Sequence, residues 1–126
     1  MWSYFSHFTR RFRYPVSMPS EVADALGIEC PSEYSLEELI RQLLEAKCQP
    51  KALIKYMKRE IAENRFENAV KKERFNQKTL ISYYFNQGWV EFMLQFDDEA
   101  RLRRLYLYHY SAGSSQGVEI PLILQG

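Results

Sequence analysis

The sequence has few of the residues that build metal sites and disulfide frameworks. Its 126 residues include only two cysteines and two histidines. Cys30 and Cys48 form no CxxC pair, and no histidine lies at zinc-finger spacing from either of them. We therefore read both cysteines as thiols of a protein in a reducing compartment, and we expect neither a metal nor a cofactor.

Motifs of the common enzyme classes are missing as well. No GxGxxG, GxxxxGK[ST], HExxH or GxSxG pattern occurs. A general base needs an orienting partner and a substrate cleft, so a lone His109 at the end of a strand is more typical of a structural residue. A hairpin turn explains the acidic run Asp97-Asp98-Glu99. We predict that the protein is not an enzyme.

Neither a long apolar run nor a charge surplus is present. No stretch approaches the length of a membrane span, and no secretory h-region occurs, so we expect a cytoplasmic protein with no transmembrane segment. Lys and Arg number 17 against 16 Asp and Glu, which gives a formal net charge of +1. This balance argues against binding duplex nucleic acid through charge alone.

Aromatic residues are in excess, with nine Tyr, eight Phe and two Trp. We predict that residues 1–16 form an aromatic and basic arm, which docks on the protein body or on a partner. Two alternatives are an arm that lies on an anionic membrane surface, and an organellar presequence in residues 1–14, which would place the protein in an organelle matrix. The arm residues that we expect to make contacts are Trp2, Tyr4, Phe5, Phe8, Arg10 and Arg11.

Local signals predict two short helices after the arm. The first, Pro19–Leu26, begins on a proline, and Gly27 suits its C-terminal stop. The second begins after Ser35, which forms an S-x-x-E capping box with Glu38. Leucine and isoleucine residues at helical spacing carry this second helix to about Lys47.

A third helix, long and basic, is predicted from about residue 49 to residue 70. Pro50 suits its first position. Its basic residues are expected on a solvated face. Its apolar residues recur at helical spacing: Leu53, Ile54, Met57, Ile61, Ala62 and Phe66.

From Thr79 the apolar period changes to 2, which is typical of strands. Pro121 suits an edge strand. We predict an α+β fold in which residues 17–126 form one domain, with two to three N-terminal helices packed on a four-stranded antiparallel β-meander. The predicted strands are Thr79–Phe85, Trp89–Phe96, Arg101–Tyr110 and Val118–Leu124.

The alternation of side chains along these strands predicts two different sheet faces. With Phe85 opposite Val90 and Phe92 opposite Leu105, both hairpins sort the residues in the same way. The core face contains Ile81, Tyr83, Phe85, Val90, Phe92, Leu94, Leu105 and Leu107. The other face, which we call the aromatic face, contains Ser82, Tyr84, Trp89, Glu91, Met93, Arg104, Tyr106 and Tyr108.

The aromatic face is rich in the residue types that are enriched at interfaces. We predict a non-catalytic protein–protein interaction or assembly subunit that binds a protein partner or a second copy of itself. One alternative is that the arm covers the face and makes it a second small core. Another is a single-stranded nucleic-acid-binding protein that stacks bases on the same residues. The predicted interaction residues, besides the arm, are Tyr84, Trp89, Met93, Arg104, Tyr106 and Tyr108.

The order of the predicted elements over about residues 35–124 resembles the cystatin-like or NTF2-like architecture. In that order, helices come first and an antiparallel meander that wraps them follows. The NTF2-like resemblance implies a pocket between helix and sheet, and hence a small-ligand-binding or enzymatic domain with a site near His109. The sequence departs from the NTF2-like pattern because it lacks an evident early hairpin between the helices. The bulky side chains of the predicted core face argue against a large cavity.

Overall fold

The structure, a computed structural model, describes residues 15–28, 35–45, 49–110 and 117–124. Within these residues the fold is α+β, with three helices and one open antiparallel sheet of five strands. The helices are α1 (Pro19–Leu26), α2 (Leu36–Leu44) and α3 (Arg59–Asn64). The strands are β1 (Lys71–Arg74), β2 (Lys78–Phe85), β3 (Gly88–Phe96), β4 (Leu102–Tyr108) and β5 (Val118–Ile120).

The first predicted helix is confirmed, because α1 has the predicted ends. In its first turn the Glu21 carboxylate accepts a hydrogen bond from the Met18 N–H at 2.8 Å. Gly27 follows the helix with a φ of +72°. A Cβ at this position would lie 2.6 Å from the backbone nitrogen of Ala52. Both the backbone conformation and the available space therefore require glycine here.

The second predicted helix is confirmed at its start. The Ser35 hydroxyl caps α2 by accepting a hydrogen bond from the Glu38 N–H at 3.2 Å. The apolar stripe of α2 is buried at Leu36, Leu39, Ile40 and Leu43. The helix ends at Leu44, before the predicted end near residue 47.

The third predicted helix, from residue 49 to residue 70, is wrong over most of its length, since α3 covers only Arg59–Asn64. Tyr56 has a φ of +73°, a left-handed conformation that a right-handed helix cannot contain. The backbone of this segment bonds to the start of β4 instead. Tyr56 N–H donates to Leu102 O at 2.6 Å, and Leu102 N–H donates to Met57 O at 2.9 Å. These distant partners replace the local bonds of a helix.

The segment after α3 forms a strand that was not predicted. β1 pairs antiparallel with β2, with Lys71 opposite Ser82 and Arg74 opposite Thr79. Its sequence, KKER, has no apolar alternation, so hydrophobic periodicity could not reveal it. The sheet therefore has five strands, in the order β1-β2-β3-β4-β5, rather than four.

A buried arginine on α3 holds the turn between β1 and β2. Arg59 is 8% exposed. Its guanidinium donates to the carbonyls of Asn76 at 2.8 Å, Phe75 at 3.0 Å and Lys78 at 2.9 Å. It also donates to the Thr79 hydroxyl at 3.0 Å and to the Glu63 carboxylate at 3.2 Å. One side chain thereby holds the carbonyls of an exposed turn against the domain, and of these carbonyls Lys78 O also accepts the Phe75 N–H at 2.7 Å.

The core lies between the helices and one face of the sheet. Val22 and Leu26 of α1 and Leu39 of α2 are buried together with the sheet residues. All eight residues of the predicted core face are at most 4% exposed, which confirms that face: Ile81, Tyr83, Phe85, Val90, Phe92, Leu94, Leu105 and Leu107.

The predicted pairing of β2 with β3 is wrong by two residues. Phe85 lies opposite Gly88 rather than Val90, because the turn contains only Asn86 and Gln87. A shift of two residues preserves the alternation of side chains. The two faces are therefore as predicted, although the individual partners differ.

The predicted pairing of β3 with β4 is also shifted by two residues. Phe92 lies opposite Leu107 rather than Leu105. The register changes once more near the turn, where Arg103 is the extra residue of a bulge. The bulge turns Leu102 into the core, where it is fully buried.

The last strand lies at the edge of the sheet, which is the position predicted from Pro121. β5 spans Val118–Ile120 and pairs with β4 alone. It stops before the predicted end at Leu124, because proline has no N–H to donate to a ladder. β4 likewise ends at Tyr108, two residues before its predicted end at Tyr110.

Candidate functional site

The aromatic face lies on the side of the sheet opposite the core. Across the strands, Trp89 is paired with Tyr84 and Met93 with Tyr106. The sheet therefore brings the predicted interaction residues of β2, β3 and β4 onto one surface. These residues are Tyr84, Trp89, Met93, Arg104, Tyr106 and Tyr108.

Ring contacts and hydrogen bonds order this surface. The rings of Tyr84 and Trp89 lie 5.0 Å apart at an interplanar angle of 60°. A cross-strand aromatic pair of this kind contributes about 0.5–1.5 kcal/mol beyond its burial. Arg104 Nη1 donates to Tyr106 Oη at 3.4 Å, and this hydrogen bond raises the pKa of Arg104. The side chains are thus oriented by their neighbours within the sheet.

The burial of the aromatic face is intermediate between core and solvent. Its five large apolar side chains are half-buried, and Arg104 is exposed. Ser82 is 2% exposed, and its hydroxyl donates to the Glu91 carboxylate at 3.0 Å. A sheet face that points only to water would carry fewer large apolar side chains.

Gly117 fixes the position of Tyr108. It precedes β5 with a φ of +85°, and a Cβ there would lie 2.7 Å from Tyr108 Cζ. The Tyr108 ring therefore lies directly against the glycine backbone, as in cross-strand pairs where an aromatic ring covers a glycine. This contact was not predicted. The available signal was the glycine directly before the last predicted strand, Val118–Leu124.

Charges on and around the aromatic face are balanced. Lys71 and Glu73 of β1 extend the face and form an ion pair at 3.3 Å. Sequence reasoning missed both because it did not predict β1. Three bases and three acids lie on or beside the face: Lys71, Lys78, Arg104, Glu73, Glu91 and Glu119.

The predicted arm joins the domain beside the aromatic face. Ser17 N–H donates to Tyr84 O at 2.7 Å, so the chain just after the arm runs along β2 at Tyr84. Residues 1–14 lie outside the described residues, and the predictions for them stay predictions. These include the contacts predicted for Trp2, Tyr4, Phe5, Phe8, Arg10 and Arg11.

His109 and Asp97, the other candidates for chemical roles, both have contacts that are typical of structural residues. His109 is 7% exposed, its ring lies 4.5 Å from that of Tyr110, and burial lowers its pKa. Asp97 Oδ1 accepts hydrogen bonds from the N–H groups of Arg101 and Glu99, and the bond from Arg101 lowers the pKa of Asp97. Among the described residues, no group of three or more His, Cys, Asp and Glu side chains could hold a metal ion. Both cysteines lie outside these residues.

Comparison with protein-family models, with curated proteins and with solved structures finds no match to this chain. None of the described helices is long and apolar enough to cross a membrane. The function is therefore argued from the geometry of the aromatic face.

Proposed function

We propose that this protein is a non-catalytic interaction or assembly subunit, which binds a protein partner through the aromatic face. One observation carries the proposal: a sheet whose other side is a filled core presents Trp, Tyr, Met and Arg together on this side. These residue types are enriched at the binding hot spots of protein interfaces, whereas Lys, Glu and Asp are depleted there.

The charge balance favours a protein over a nucleic acid as the partner. Proteins that bind single strands combine stacking aromatics with a basic groove that follows the phosphates. Here Glu91 and Glu119 lie beside the Tyr residues of β4, opposing the charge of Arg104. A mixed surface of this kind suits a protein partner with its own balanced charges.

The arm is proposed to contribute to the same interface. Its point of attachment is Ser17, whose backbone is bonded to Tyr84 at the border of the aromatic face. Aromatic and arginine residues in the arm are the types that would extend an interface rich in Tyr and Trp. The proposal therefore treats the face and the arm as one continuous binding surface.

The finer fold assignment, to a cystatin-like or NTF2-like packing, and the cytoplasmic location stay predictions. The proposal does not place a ligand pocket at His109. The ring of His109 packs against Tyr110, and the core face beside it is filled by Val90 and Leu107 at no more than 1% exposure.

The test is a comparison of partner binding with stability in two variants. Trp89→Ala and Tyr108→Ala should each remove a partner that co-purifies with the wild type, because truncating a hot-spot aromatic costs about 2 kcal/mol or more of binding. Each variant should lose only about 1–2 kcal/mol of stability, because the truncated side chains are half-buried and Trp89 also loses its ring contact with Tyr84. Phe75→Ala is the comparison variant, because Phe75 is an aromatic residue, 52% exposed, at the turn between β1 and β2, the end of β2 opposite to Tyr84.

The opposite pattern would contradict the proposal. If Trp89→Ala destabilises the protein as much as a fully buried aromatic truncation, about 3–5 kcal/mol, the aromatic face is a second core. The arm would then be the cover of that core rather than part of an interface. Binding that survives both substitutions would contradict it as well.

A further inference from the structure

A groove of about 520 Å³ lies away from the aromatic face. It forms where the segment before α3 meets the start of β4 and the end of the described chain. Lys55 N–H donates to Ile123 O at 2.9 Å, and Lys58 forms a backbone bridge with Arg101. These contacts join three parts of the chain that are distant in sequence, so the groove is a product of the tertiary fold.

The groove has exposed apolar walls. They are formed by Ile54, Tyr56, Met57, Ile61 and Leu124. Tyr56 is 47% exposed, Ile61 44% and Leu124 65%. Large apolar side chains that are exposed singly are ordinary on protein surfaces, but several that line one concave site are typical of a binding site.

The charged side chains that line the groove are all basic. Lys55, Lys58 and Arg101 line it, and no carboxylate does so among the residues that the structure describes. Arg103 adds a fourth base, with its guanidinium carbon 5.1 Å from the centre of the Tyr56 ring. The nearby Asp97 accepts the backbone N–H of Arg101 and pairs with Arg103 at 3.5 Å. The walls and bases together are called the basic groove.

Tyr56 occupies a backbone conformation that disfavours it. A φ of +73° is tolerated well by glycine but is uncommon for a bulky residue. Strained residues of this kind cluster at functional sites, where the side chain rather than the backbone explains them. The Tyr56 ring is in contact with both Arg103 and Lys55, whose Nζ is 5.5 Å from the ring centre. It thus connects the apolar walls to the bases.

We propose that the basic groove binds an acidic peptide segment of a partner protein, in which carboxylates flank one or two large apolar side chains. The bases complement the carboxylates, and the walls receive the apolar anchors. Four of the five wall residues are aliphatic or thioether side chains, which suit a peptide anchor better than a stack of nucleic-acid bases. This site is separate from the aromatic face, so it does not depend on the function proposed there.

The probe is a peptide selected from a random twelve-residue display library on the purified full chain. We expect the enriched peptides to carry at least two carboxylates beside Leu, Phe or Trp. Binding of a labelled synthetic copy, measured by fluorescence anisotropy, should weaken about tenfold in Lys58→Glu, because the substitution reverses one of the lining charges. It should also weaken with added salt.

Two matched variants separate binding at this groove from other effects. Lys78→Glu makes the same charge change at an exposed lysine beside the aromatic face, and it should leave the peptide affinity unchanged. Tyr56→Gly removes the ring and relieves the left-handed backbone, so the peptide should bind about tenfold more weakly while the melting temperature does not fall.

Three results would overturn the proposal. The first is enrichment of peptides without carboxylates. The second is a selected peptide that loses affinity in Lys78→Glu but not in Lys58→Glu, which would move the site to the aromatic face. The third is an oligouridylate of the same length that binds more tightly than the peptide and is weakened by Lys58→Glu, which would make the ligand a nucleic acid.

Discussion

Replacing Arg59 with methionine should destabilise the fold far more than a typical substitution on a short helix does. Methionine keeps the length and the apolar stem of the side chain but removes the guanidinium. The carbonyls of Phe75 and Asn76 then lose this donor, and the carbonyl of Lys78 keeps the Phe75 N–H at 2.7 Å. Glu63 loses one of its two arginine partners and keeps Arg74, at 3.0 Å.

The magnitude follows from the burial of this network. Removing one partner of a buried ion pair costs about 3–5 kcal/mol, because the groups left behind stay buried. Arg74 still neutralises Glu63, and the turn residues 75–78 that carry the carbonyls are exposed, so water can reach part of the site. We therefore expect the lower end, about 3 kcal/mol. That is a large share of the roughly 5–15 kcal/mol by which a domain is stable.

Urea denaturation followed by circular dichroism measures this loss, and an unchanged slope would show that the denatured state is the same. Arg59→Lys keeps the charge but not the planar fork of donors, so it should lose stability to a smaller extent. Arg41→Met is the control, because Arg41 forms its ion pairs with Glu38 and Glu45 in solvent and its loss should be close to the measurement error. A loss below about 1 kcal/mol in Arg59→Met would refute this account of the turn.

Two further predictions concern acid stability and the end of α1. Burial raises the pKa of Glu63, but hydrogen bonds from Thr79 and Arg59 and the charge of Arg74 outweigh it and lower the pKa below its ordinary value of 4.5. A lowered carboxyl pKa stabilises the fold above that value and ceases to do so as pH falls, so Glu63→Gln should lose less stability than the wild type in acid denaturation. Gly27→Ala should cost about 2 kcal/mol in urea melts, and adding Ala52→Gly should not restore it, because the clash is with a backbone nitrogen.

The parts of the fold that could be predicted were those with local chemical signals. The start of α1 on a proline, its end at Gly27 and the Ser35 cap all act within a few residues of the chain. The two sheet faces were predictable for a different reason. Their assignment depends only on the alternation of side chains, which survives a shift of two residues in strand pairing.

The segment before α3 could not be predicted because distant partners decide its conformation. Its apolar residues recur at helical spacing, yet its backbone bonds to Leu102 and Ile123. The same is true of the contacts of Arg59, whose acceptors other than Glu63 lie 16 to 20 residues further along the chain. No local pattern at Tyr56 signals the basic groove, since Arg101 and Leu124 reach it only in the folded chain.

The composition of the aromatic face was predicted, but its borders were not. Lys71 and Glu73 join it through β1, a strand without apolar alternation. Gly117, directly before β5, supports Tyr108 of β4 through a contact that no local pattern signals. Side-chain alternation identifies which residues share a face, whereas strand order and loop geometry determine what surrounds them.

Photo-cross-linking from the aromatic face tests the proposed function most directly. A benzophenone amino acid placed at Met93, in the middle of β3, should form a cross-link in cells to one discrete protein partner, and the cross-link should disappear in Tyr108→Ala. The same group at Asp24, an exposed position on α1, should not capture that partner. If mass spectrometry finds that the Met93 group reacts only with residues 1–14 of its own chain, the aromatic face is covered by the arm and the proposed interface is wrong.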